Sequence, residues 1–513
     1  MKDVAIIGAG IAGMATAARL QARGLSTIVF EAHGQPGGCA GFYRRKGFAF
    51  DVGATTLVDF ESGGVGGELL EAIAMPPLEG ESLPGYVAWL PDRVVTLHRD
   101  PSSWRLERLQ AIGNTEAHRA FWDLLDQLAT AFWAASRNGA RLPIQSPGDL
   151  VHNLRALGLR NVPLARYLRW TLGDALRAFG LQDDLPLRGL LSMLVEDTVH
   201  SSVEDAPLIN AALGITIRGA GLTRARGGMS GFWRQFVAHY RALGGELRVG
   251  CAVEQVGGSR GNFLINTRRG PFQAARVVSA LPAALTARIA PTLVAPTLEP
   301  YVCRDAQAMG GAIVVFLGVP EEQVDGQQFT HHQLLQQYEQ PLGNGNNMFI
   351  SVSASGDLAS APAGKRAVML STHCSLEDWE RLSLPEYRIR KQEAGAQLVA
   401  LARRVYPRLG EQTLVYEIGT PHTYERFVHR PRGAVGGVRL ALKNSNQRAI
   451  PHNLGVRGFW LVGDTTWPGL GTVACVLGSR IVAEQIVQEA YSHEAVHFRL
   501  RERGIVRGRA YPI

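Results

Sequence analysis

The chain has 513 residues, of which 58 are glycine, a share of about 11% against roughly 7% in an average protein. Hydrophobic residues make up 46% and charged residues 19% of the chain, which excludes an intrinsically disordered protein, and the glycines follow no triplet repeat, which excludes collagen. The net charge of +8 is spread thinly and forms no long basic block, so nucleic acid is not an expected partner.

The start of the chain predicts a βαβ unit. An apolar strand over residues 4–7 leads directly into Gly8–Gly13, which has the pattern G-x-G-x-x-G. Apolar residues at helical spacing predict a helix over residues 11–23, and a second strand over residues 27–30 ends at Glu31. This order is typical of a dinucleotide-binding fold, in which the acidic residue holds the adenosine ribose.

The three motif glycines have different expected roles. Gly8 makes the tight turn, Gly10 lets the backbone approach a pyrophosphate, and Gly13 lets the helix pack against the strand. The N-terminus of the helix adds free N–H donors and the positive end of the helix dipole. We therefore expect phosphate groups to bind at the start of this helix.

Further glycine-rich segments lie near both ends of the chain. Residues 35–41 and 47–54 form two such turns around a short strand, which can bring backbone N–H groups against a second face of a long cofactor. Far along the chain, residues 458–464 form an apolar strand that ends in Gly-Asp, and residues 468–472 open an apolar helix over about 473–490.

With these segments, the sequence resembles the FAD-dependent phytoene desaturase and carotenoid isomerase family, within the amine-oxidase-like flavoproteins. Residues 226–229, 244–256 and 276–282 resemble further blocks of the family in the same order. The glycine pairs and the Gly-Asp segment look most like the C-3′,4′ carotenoid desaturase branch. The residues that the resemblance places on FAD are Gly8, Gly10, Ile11, Ala12, Gly13, Glu31, Ala32, Gly37, Gly38, Cys39, Ala40, Gly53, Ala54, Thr55, Val253, Gly463, Asp464, Gly471, Thr472 and Val473.

Two positions depart from the family pattern. Cys39 stands where many relatives have an arginine on the pyrophosphate, and Arg44 or Arg45 are candidates to replace that charge. The segment Thr472–Cys475 replaces the common V-P-G-V sequence. In the family, Asp464 would lie near the ribityl or phosphate part of FAD, and the following helix would direct its N-terminus at the N1/O2 edge of the isoalloxazine ring, where the reduced flavin carries negative charge.

The resemblance implies an α/β protein with a Rossmann-like FAD-binding domain assembled from discontinuous segments, an inserted α+β substrate domain and a helical membrane-facing region. We expect the FAD-binding domain over residues 1–79, 216–290 and 441–492, the helical substrate and membrane-facing region over 80–215, the substrate domain over 291–440, and a basic tail over 493–513. The helical pattern over residues 121–135 predicts a core-facing helix.

Residues 151–190 interleave arginines with leucines and aromatic residues, a pattern that suits either the headgroup region of an anionic membrane or an ordinary solvated face. The arginines of this segment are Arg155, Arg160, Arg166, Arg169, Arg177 and Arg188. No signal peptide and no membrane-spanning run is recognised, and five scattered cysteines favour a reducing compartment. We expect a cytoplasmic protein that is peripherally associated with membranes; its oligomeric state is left open.

The expected activity is that of an FAD-dependent oxidoreductase that desaturates a long, carotenoid-like polyene by hydride transfer to flavin N5. Alternatives are a redox-neutral cis-trans isomerase, a saturase that uses reduced FAD, an oxidase of another lipid or of an amine, and a non-catalytic FAD- or lipid-binding protein. No catalytic residue is assigned, although residues 195–200, Glu204 and Asp205 contain candidate bases. His331 and His332 are expected at the surface or in a turn, and no metal site is predicted.

Overall fold

The computed structural model describes residues 1–502, so residues 503–513 of the predicted basic tail lie outside the described part of the chain. The strands, in chain order, are β1 (Lys2–Ile7), β2 (Thr27–Phe30), β3 (Phe42–Arg45), β4 (Phe48–Asp51), β5 (Leu57–Val58), β6 (Gly80–Ser82), β7 (Gly85–Trp89), β8 (Val94–His98), β9 (Leu222–Ala225), β10 (Glu246–Arg248), β11 (Val253–Ser259), β12 (Asn262–Thr267), β13 (Gly270–Ser279), β14 (Gly311–Pro320), β15 (His331–Leu335), β16 (Asn347–Val352), β17 (Lys365–Cys374), β18 (Val415–Gly419) and β19 (Phe459–Leu461).

The helices lie between these strands, singly or in groups, along the chain. They are α1 (Ile11–Ala22), α2 (Val65–Ala72), α3 (Pro101–Ala111), α4 (Glu116–Arg137), α5 (Pro147–Leu157), α6 (Leu172–Ala178), α7 (Leu185–Val199), α8 (Leu208–Ile215), α9 (Ile217–Ala220), α10 (Gly228–Ala242), α11 (Ala283–Ile289), α12 (Ala295–Asp305), α13 (Glu377–Glu380), α14 (Leu384–Ala402), α15 (Pro421–Val428) and α16 (Thr472–Glu502).

The first sheet is a parallel sheet built from three distant parts of the chain. Its parallel strands have the order β10-β2-β1-β13-β19, and β12 and β11 extend it in antiparallel fashion beyond the first half of β13. Residues 4–7 of β1 are buried on both faces, as a central parallel strand requires. The N-terminal helix α1 packs against the C-terminal helix α16 on one face. The predicted Rossmann-like domain of discontinuous segments is therefore confirmed.

The second sheet is mostly antiparallel and has the order β18-β14-β17-β16-β15-β7-β8. Its long strands β14 and β17 pair in a continuous register, with Ile313 opposite Thr372. Helix α14 packs against β14, β17 and β18. Strands β7 and β8 come from residues 80–215, where the sequence pattern predicts helices, and they join the second sheet through the parallel pairing of β7 with β15.

The surface position predicted for His331 and His332 is wrong. Both lie in β15, between β16 and β7, and both are 0% exposed. Alternation along the strand sends the His331 ring towards Thr55 on one face and the His332 ring towards Tyr406 on the other. The two polar side chains tolerate burial because each finds a hydrogen-bond partner.

Helices from residues 101–220 cover the second sheet at one end. The predicted core-facing helix is part of α4, where Phe121 and Trp122 are buried. The arginine-rich segment covers most of α5, a 3-10 helix over Leu159–Arg169, α6 and the start of α7, which contains Arg188. Within residues 1–502, no helix combines the length and the hydropathy needed to cross a bilayer.

Candidate functional site

A single large cavity runs along the carboxyl edge of the parallel sheet and continues between the second sheet and the helices. Its volume is about 1490 Å³, well above the ~300–1,000 Å³ of ordinary small-molecule pockets, so it has room for two ligands end to end. With the exception of Gly13, every predicted cofactor residue lines this cavity. These residues are Gly8, Gly10, Ile11, Ala12, Glu31, Ala32, Gly37, Gly38, Cys39, Ala40, Gly53, Ala54, Thr55, Val253, Gly463, Asp464, Gly471, Thr472 and Val473.

The turn before α1 has the geometry of a phosphate site. Gly10 is the N-cap of α1 with φ −70° and ψ 175°, a conformation open to any residue, and a Cβ built on it meets nothing within 4 Å. A Cβ on Gly13 would lie 2.1 Å from the carbonyl oxygen of Gly8. Gly13 therefore serves helix packing, whereas Gly10 keeps a space open in front of the helix N-terminus that a phosphate fits.

The Glu31 carboxylate lies at the end of β2 with both oxygens oriented by the backbone. Its Oε2 accepts a hydrogen bond from the N–H of Ala9 at 2.7 Å, and its Oε1 accepts one from the N–H of His33 at 2.8 Å. Each carboxylate oxygen has a second lone pair, and Glu31 lines the cavity. The group is thus fixed and still able to accept hydroxyl donors, which fits a ribose.

The glycine pair after Glu31 forms a tightly closed turn. Gly37 has φ +136°, and a Cβ on it would lie 2.5 Å from the Cα of Gly41. The indole N–H of Trp233 donates to the carbonyl of Ala40 at 2.7 Å. A Cβ on Gly53 would lie 2.4 Å from the carbonyl oxygen of Cys39. These contacts hold the backbone of the turn at the cavity wall, where it can lie along a bound dinucleotide and contact it.

The cation near Cys39 is Arg430, which the sequence reasoning did not identify. Arg430 is buried, lines the cavity and donates from Nη2 to the Asp464 carboxylate, while its Nη1 has no hydrogen-bond partner. The two arginines proposed from the sequence also line the cavity but are engaged elsewhere: Arg44 donates to Ser230 at 2.9 Å, and Arg45 lies 3.4 Å from Glu417. Arg430 comes from a loop about 390 residues away in the chain, so no local pattern could reveal it.

The N-terminus of α16 opens into the same cavity. Gly471 precedes it with φ +101°, and a Cβ there would meet nothing within 4 Å. Thr472 and Val473 line the cavity at the first turn. The free N–H groups and the helix dipole at this end can stabilise negative charge on a bound ring system, despite the departure from V-P-G-V.

Beyond this end, the cavity becomes a mainly apolar chamber. Alternate residues of β14 and β17 face it, which gives a floor of Ala312, Val314, Phe316, Met369, Ser371 and His373. Apolar residues from the helices and the adjoining loops complete the walls. They include Leu213, Ile217, Leu440 and Leu470.

Of the candidate bases in residues 195–200, Asp197 and His200 line this chamber at the end of α7, whereas Glu196 is not part of its lining. Asp197 accepts a hydrogen bond from Gln333 Nε2 at 3.0 Å and lies 3.9 Å from Arg218 Nη2. The Asp197 side chain is 38% exposed and lines the cavity, and burial within the protein raises its pKa. Arg218 stacks on the ring of Tyr86 and has no hydrogen-bond partner at any guanidinium nitrogen.

A second cluster consists of His200 and His373, which line the chamber, and of Glu196 next to His373. Glu196 Oε1 lies 3.4 Å from His373 Nδ1, and the rings of His373 and His200 meet edge to face at 4.6 Å between centroids. Burial, with smaller effects from nearby cations, holds the pKa of His200 well below 6.5. The sequence reasoning missed His373 because it lies 177 positions beyond Glu196 on another element.

The remaining candidate bases lie outside the cavity. Glu204 pairs with Arg177 at 2.8 Å and with Arg188 at 3.1 Å, and Asp205 accepts a hydrogen bond from Ser202. These contacts stabilise the fold, and they give neither carboxylate access to a ligand in the chamber.

Two models of known protein families match this chain. The family model described as flavin containing amine oxidoreductase matches residues 172–487, which is well over half of the chain. The model described as an NAD(P)-binding Rossmann-like domain matches residues 6–72. The two matches together cover the distant segments that meet in the cavity.

Individual relatives agree with this match. Prolycopene isomerase from the chloroplast of Arabidopsis thaliana is 24% identical over 518 residues, covering 95% of this chain and 83% of the plant protein. Lycopene-forming phytoene desaturase from Pantoea ananas is 40% identical over 91 residues, 18% of this chain and 17% of that protein. The solved structure of cyclohexylamine oxidase from Brevibacterium oxydans IH-35A has a TM-score of 0.61 and 16% identity, covering 96% of this chain and 99% of that one, so the two share the fold.

Proposed function

Because the chain belongs to the flavin-containing amine oxidoreductase family and is an FAD-dependent oxidoreductase related to carotenoid desaturases and isomerases, we propose that it acts on a long, carotenoid-like polyene. The observation that carries this proposal is the continuity of the cavity. One space of about 1490 Å³ joins the phosphate turn of α1 to the apolar chamber over β14 and β17. A long hydrocarbon chain fits such a chamber because its burial there removes apolar surface from water.

One part of the cavity lining would bind the cofactor, and the other part would bind the substrate. Glu31, Gly10 and the turn at Gly37 would hold the adenosine and phosphate end of FAD, and the N-terminus of α16 would face its ring system. When bound, FAD supplies two-electron oxidation and reduction. The chamber orients the polyene against that ring and keeps bulk water away.

The proposed reaction is desaturation, in which the polyene loses two hydrogens. The second candidate is redox-neutral cis-trans isomerisation. It is favoured by the extent of the likeness to prolycopene isomerases, which covers 95% of this chain, whereas the likeness to phytoene desaturases covers 18%.

Expression in a carotenoid-producing bacterium tests the proposal, with the pigments separated by chromatography and weighed by mass spectrometry. We expect a product two hydrogens lighter than the host carotenoid; a product of equal mass and altered double-bond geometry would establish isomerisation instead. The Gly10→Val variant is the control for dependence on FAD. If no polyene of several hosts changes, while an amine bleaches the flavin of the purified protein, the polyene proposal is refuted.

We further propose that the protein contacts anionic membrane through α5 and the 3-10 helix after it. Leu150, Val151 and Leu159 are exposed there, and Leu159 is 80% exposed. The neighbouring side chains of Arg155 and Arg160 are also exposed, so apolar and cationic groups share one surface.

Vesicle flotation tests this contact. The protein should float with phosphatidylglycerol vesicles and less with phosphatidylcholine vesicles, and Leu159→Asp should reduce flotation, whereas Leu358→Asp, at an exposed leucine elsewhere, should not. Equal flotation of the two variants would refute the assigned surface.

A further inference from the structure

We propose that His373 is the residue that takes up the substrate's proton in the chamber, and that Glu196 is its positioning residue. This inference rests on the proposed desaturation and assigns a proton acceptor to it. It depends on the contact of Glu196 Oε1 with His373 Nδ1 at 3.4 Å and on the place of His373 in the cavity wall.

The position of His373 follows from the register of the second sheet. Met369, Ser371 and His373 occupy alternate positions of β17, and all three line the cavity. His373 is therefore the ionisable member of a floor that otherwise presents a thioether and a hydroxyl on this strand. Glu196 lies behind the ring on α7, and its side chain is more buried than that of His373.

The contact with Glu196 favours a free lone pair on Nε2. A carboxylate beside Nδ1 favours the tautomer with hydrogen on Nδ1, because its negative charge attracts the partial positive charge of that N–H. Nε2 then carries a lone pair, which a proton acceptor requires. The carboxylate also stabilises the imidazolium that forms when the proton arrives.

The charged groups near the two histidines lie on α7 and on the opposite loop. Because burial holds the pKa of His200 well below 6.5, its ring is neutral near pH 7. Asp197, the next residue on α7, exerts its charge on His373 as well. Arg439 and Arg430 act on His200 from the opposite loop. His373 thus faces two carboxylates and a neutral ring.

His200 also connects the cluster to the cofactor end of the cavity. A Cβ on Gly436 would lie 2.2 Å from Cε1 of His200, so the loop backbone packs against this ring. A Cβ on the next residue, Gly437, would lie 2.5 Å from the carbonyl oxygen of Asp464, one of the predicted FAD residues. His200 therefore lies between His373 on the chamber floor and the site assigned to FAD.

The balanced step breaks two adjacent C–H bonds of the substrate. The electron pair of the first bond leaves with its hydrogen as a hydride, for which oxidised FAD, held by Glu31, the turn at Gly37 and the N-terminus of α16, would be the acceptor. The electron pair of the second bond forms the new C=C double bond, and its hydrogen passes as a proton to Nε2 of His373. The substrate is oxidised by two electrons, and the flavin is reduced by two.

Anaerobic single-turnover experiments with the FAD-loaded full chain test this assignment. The probe is a partly saturated carotene in phosphatidylglycerol vesicles, and the measurement is the rate at which the long-wavelength flavin absorbance is lost. We expect His373→Gln to reduce this rate about 100- to 10,000-fold, with the dissociation constant of FAD unchanged. His422→Gln, the same change at an exposed histidine that does not line the cavity, should keep the wild-type rate.

The Glu196→Gln variant tests whether Glu196 positions His373 or only stabilises the fold. Its rate should fall less than that of His373→Gln, and the acid limb of its pH–rate profile should move to lower pH, because loss of a neighbouring negative charge disfavours the protonated imidazole. A profile that keeps its position would refute the role of Glu196.

The outcomes distinguish this assignment from the proposed function. If the wild-type protein reacts and His373→Gln reacts equally fast, the role of His373 alone is refuted. If the wild-type protein reacts with no partly saturated carotene, the proposed desaturation is refuted, and the role of His373 fails with it. If His373→Gln does not fold, the pH–rate profile of Glu196→Gln decides the question.

Discussion

Separate substitutions of Gly10 and Gly13 should show that Gly10 is needed for cofactor binding and Gly13 for folding. Gly10 has an extended backbone conformation that any residue adopts, and a Cβ on it meets no protein atom within 4 Å. Gly13 lies inside α1, and a Cβ there would come to 2.1 Å from the oxygen of Gly8 and 3.0 Å from the Cβ of Ala280. Gly10→Val should therefore weaken FAD binding without destabilising the apoprotein, and Gly13→Ala should destabilise the apoprotein.

The expected magnitudes follow from these distances. Extra atoms forced into a packed contact cost about 1–3 kcal/mol. For Gly13→Ala this cost falls on the free energy of unfolding, because Gly8 and Ala280 are held at the end of the sheet by the hydrogen bonds that their N–H groups donate to Phe30 and Ile7. For Gly10→Val the same cost falls on the bound state and corresponds to about 5- to 150-fold weaker FAD binding, at 1.4 kcal/mol per factor of ten.

Two measurements on each protein check this division: urea unfolding of the apoprotein and FAD titration followed by flavin fluorescence. Gly10→Val should unfold at the wild-type urea concentration and bind FAD weakly, whereas Gly13→Ala should unfold at a lower concentration. Wild-type FAD affinity in Gly10→Val would refute the approach of phosphate to this turn. Unchanged stability in Gly13→Ala would refute the packing role.

Three further substitutions test other parts of the site and its support. Glu31→Gln replaces one of the two carboxylate oxygens, both of which accept backbone hydrogen bonds, by an N–H donor. Since a hydrogen bond to a charged group contributes ~1.5–3 kcal/mol, FAD titration should give about 10- to 100-fold weaker binding. An FAD affinity equal to that of the wild type would contradict the ribose assignment. Arg430→Met leaves the Asp464 carboxylate buried without its cation and should cost about 3–5 kcal/mol in urea unfolding, with partial recovery in the double variant that also carries Asp464→Asn. Burial raises the pKa of Glu68, but the hydrogen bond and charge of Arg19 outweigh this effect, and the net shift is downward from 4.5. The ionised Glu68 carboxylate therefore stabilises the fold above pH 4.5, and this stabilisation is lost as the pH falls below that value. The free energy of unfolding of Glu68→Gln should accordingly depend less on pH in that range than that of the wild type.

The sequence predicts the parts of the site that depend on local patterns. The βαβ unit, the turns at Gly37 and Gly53, and the segment before α16 each show a glycine spacing that only a few backbone geometries satisfy. Their joint place around one cavity could be expected from the family resemblance, and the structure brings them together there.

The features of the site and the fold that the sequence did not predict depend on contacts between elements that are distant in the chain. Arg430 reaches Asp464, and Glu196 reaches His373, only because loops and sheet edges meet in three dimensions. His331 and His332 are buried because β7, from the first third of the chain, covers the edge of β15. The alternation of adjacent side chains along a strand argued against a shared metal site, but it could not show that the sheet encloses both faces of this strand.

Product mass after anaerobic incubation of the purified, FAD-loaded protein with a partly saturated carotene tests the central claim most directly. We expect a product two hydrogens lighter than the substrate, in an amount equal to the flavin that loses its long-wavelength absorbance. Recovery of the carotene with its mass and double-bond geometry unchanged, from protein whose flavin an amine does reduce, would contradict the account.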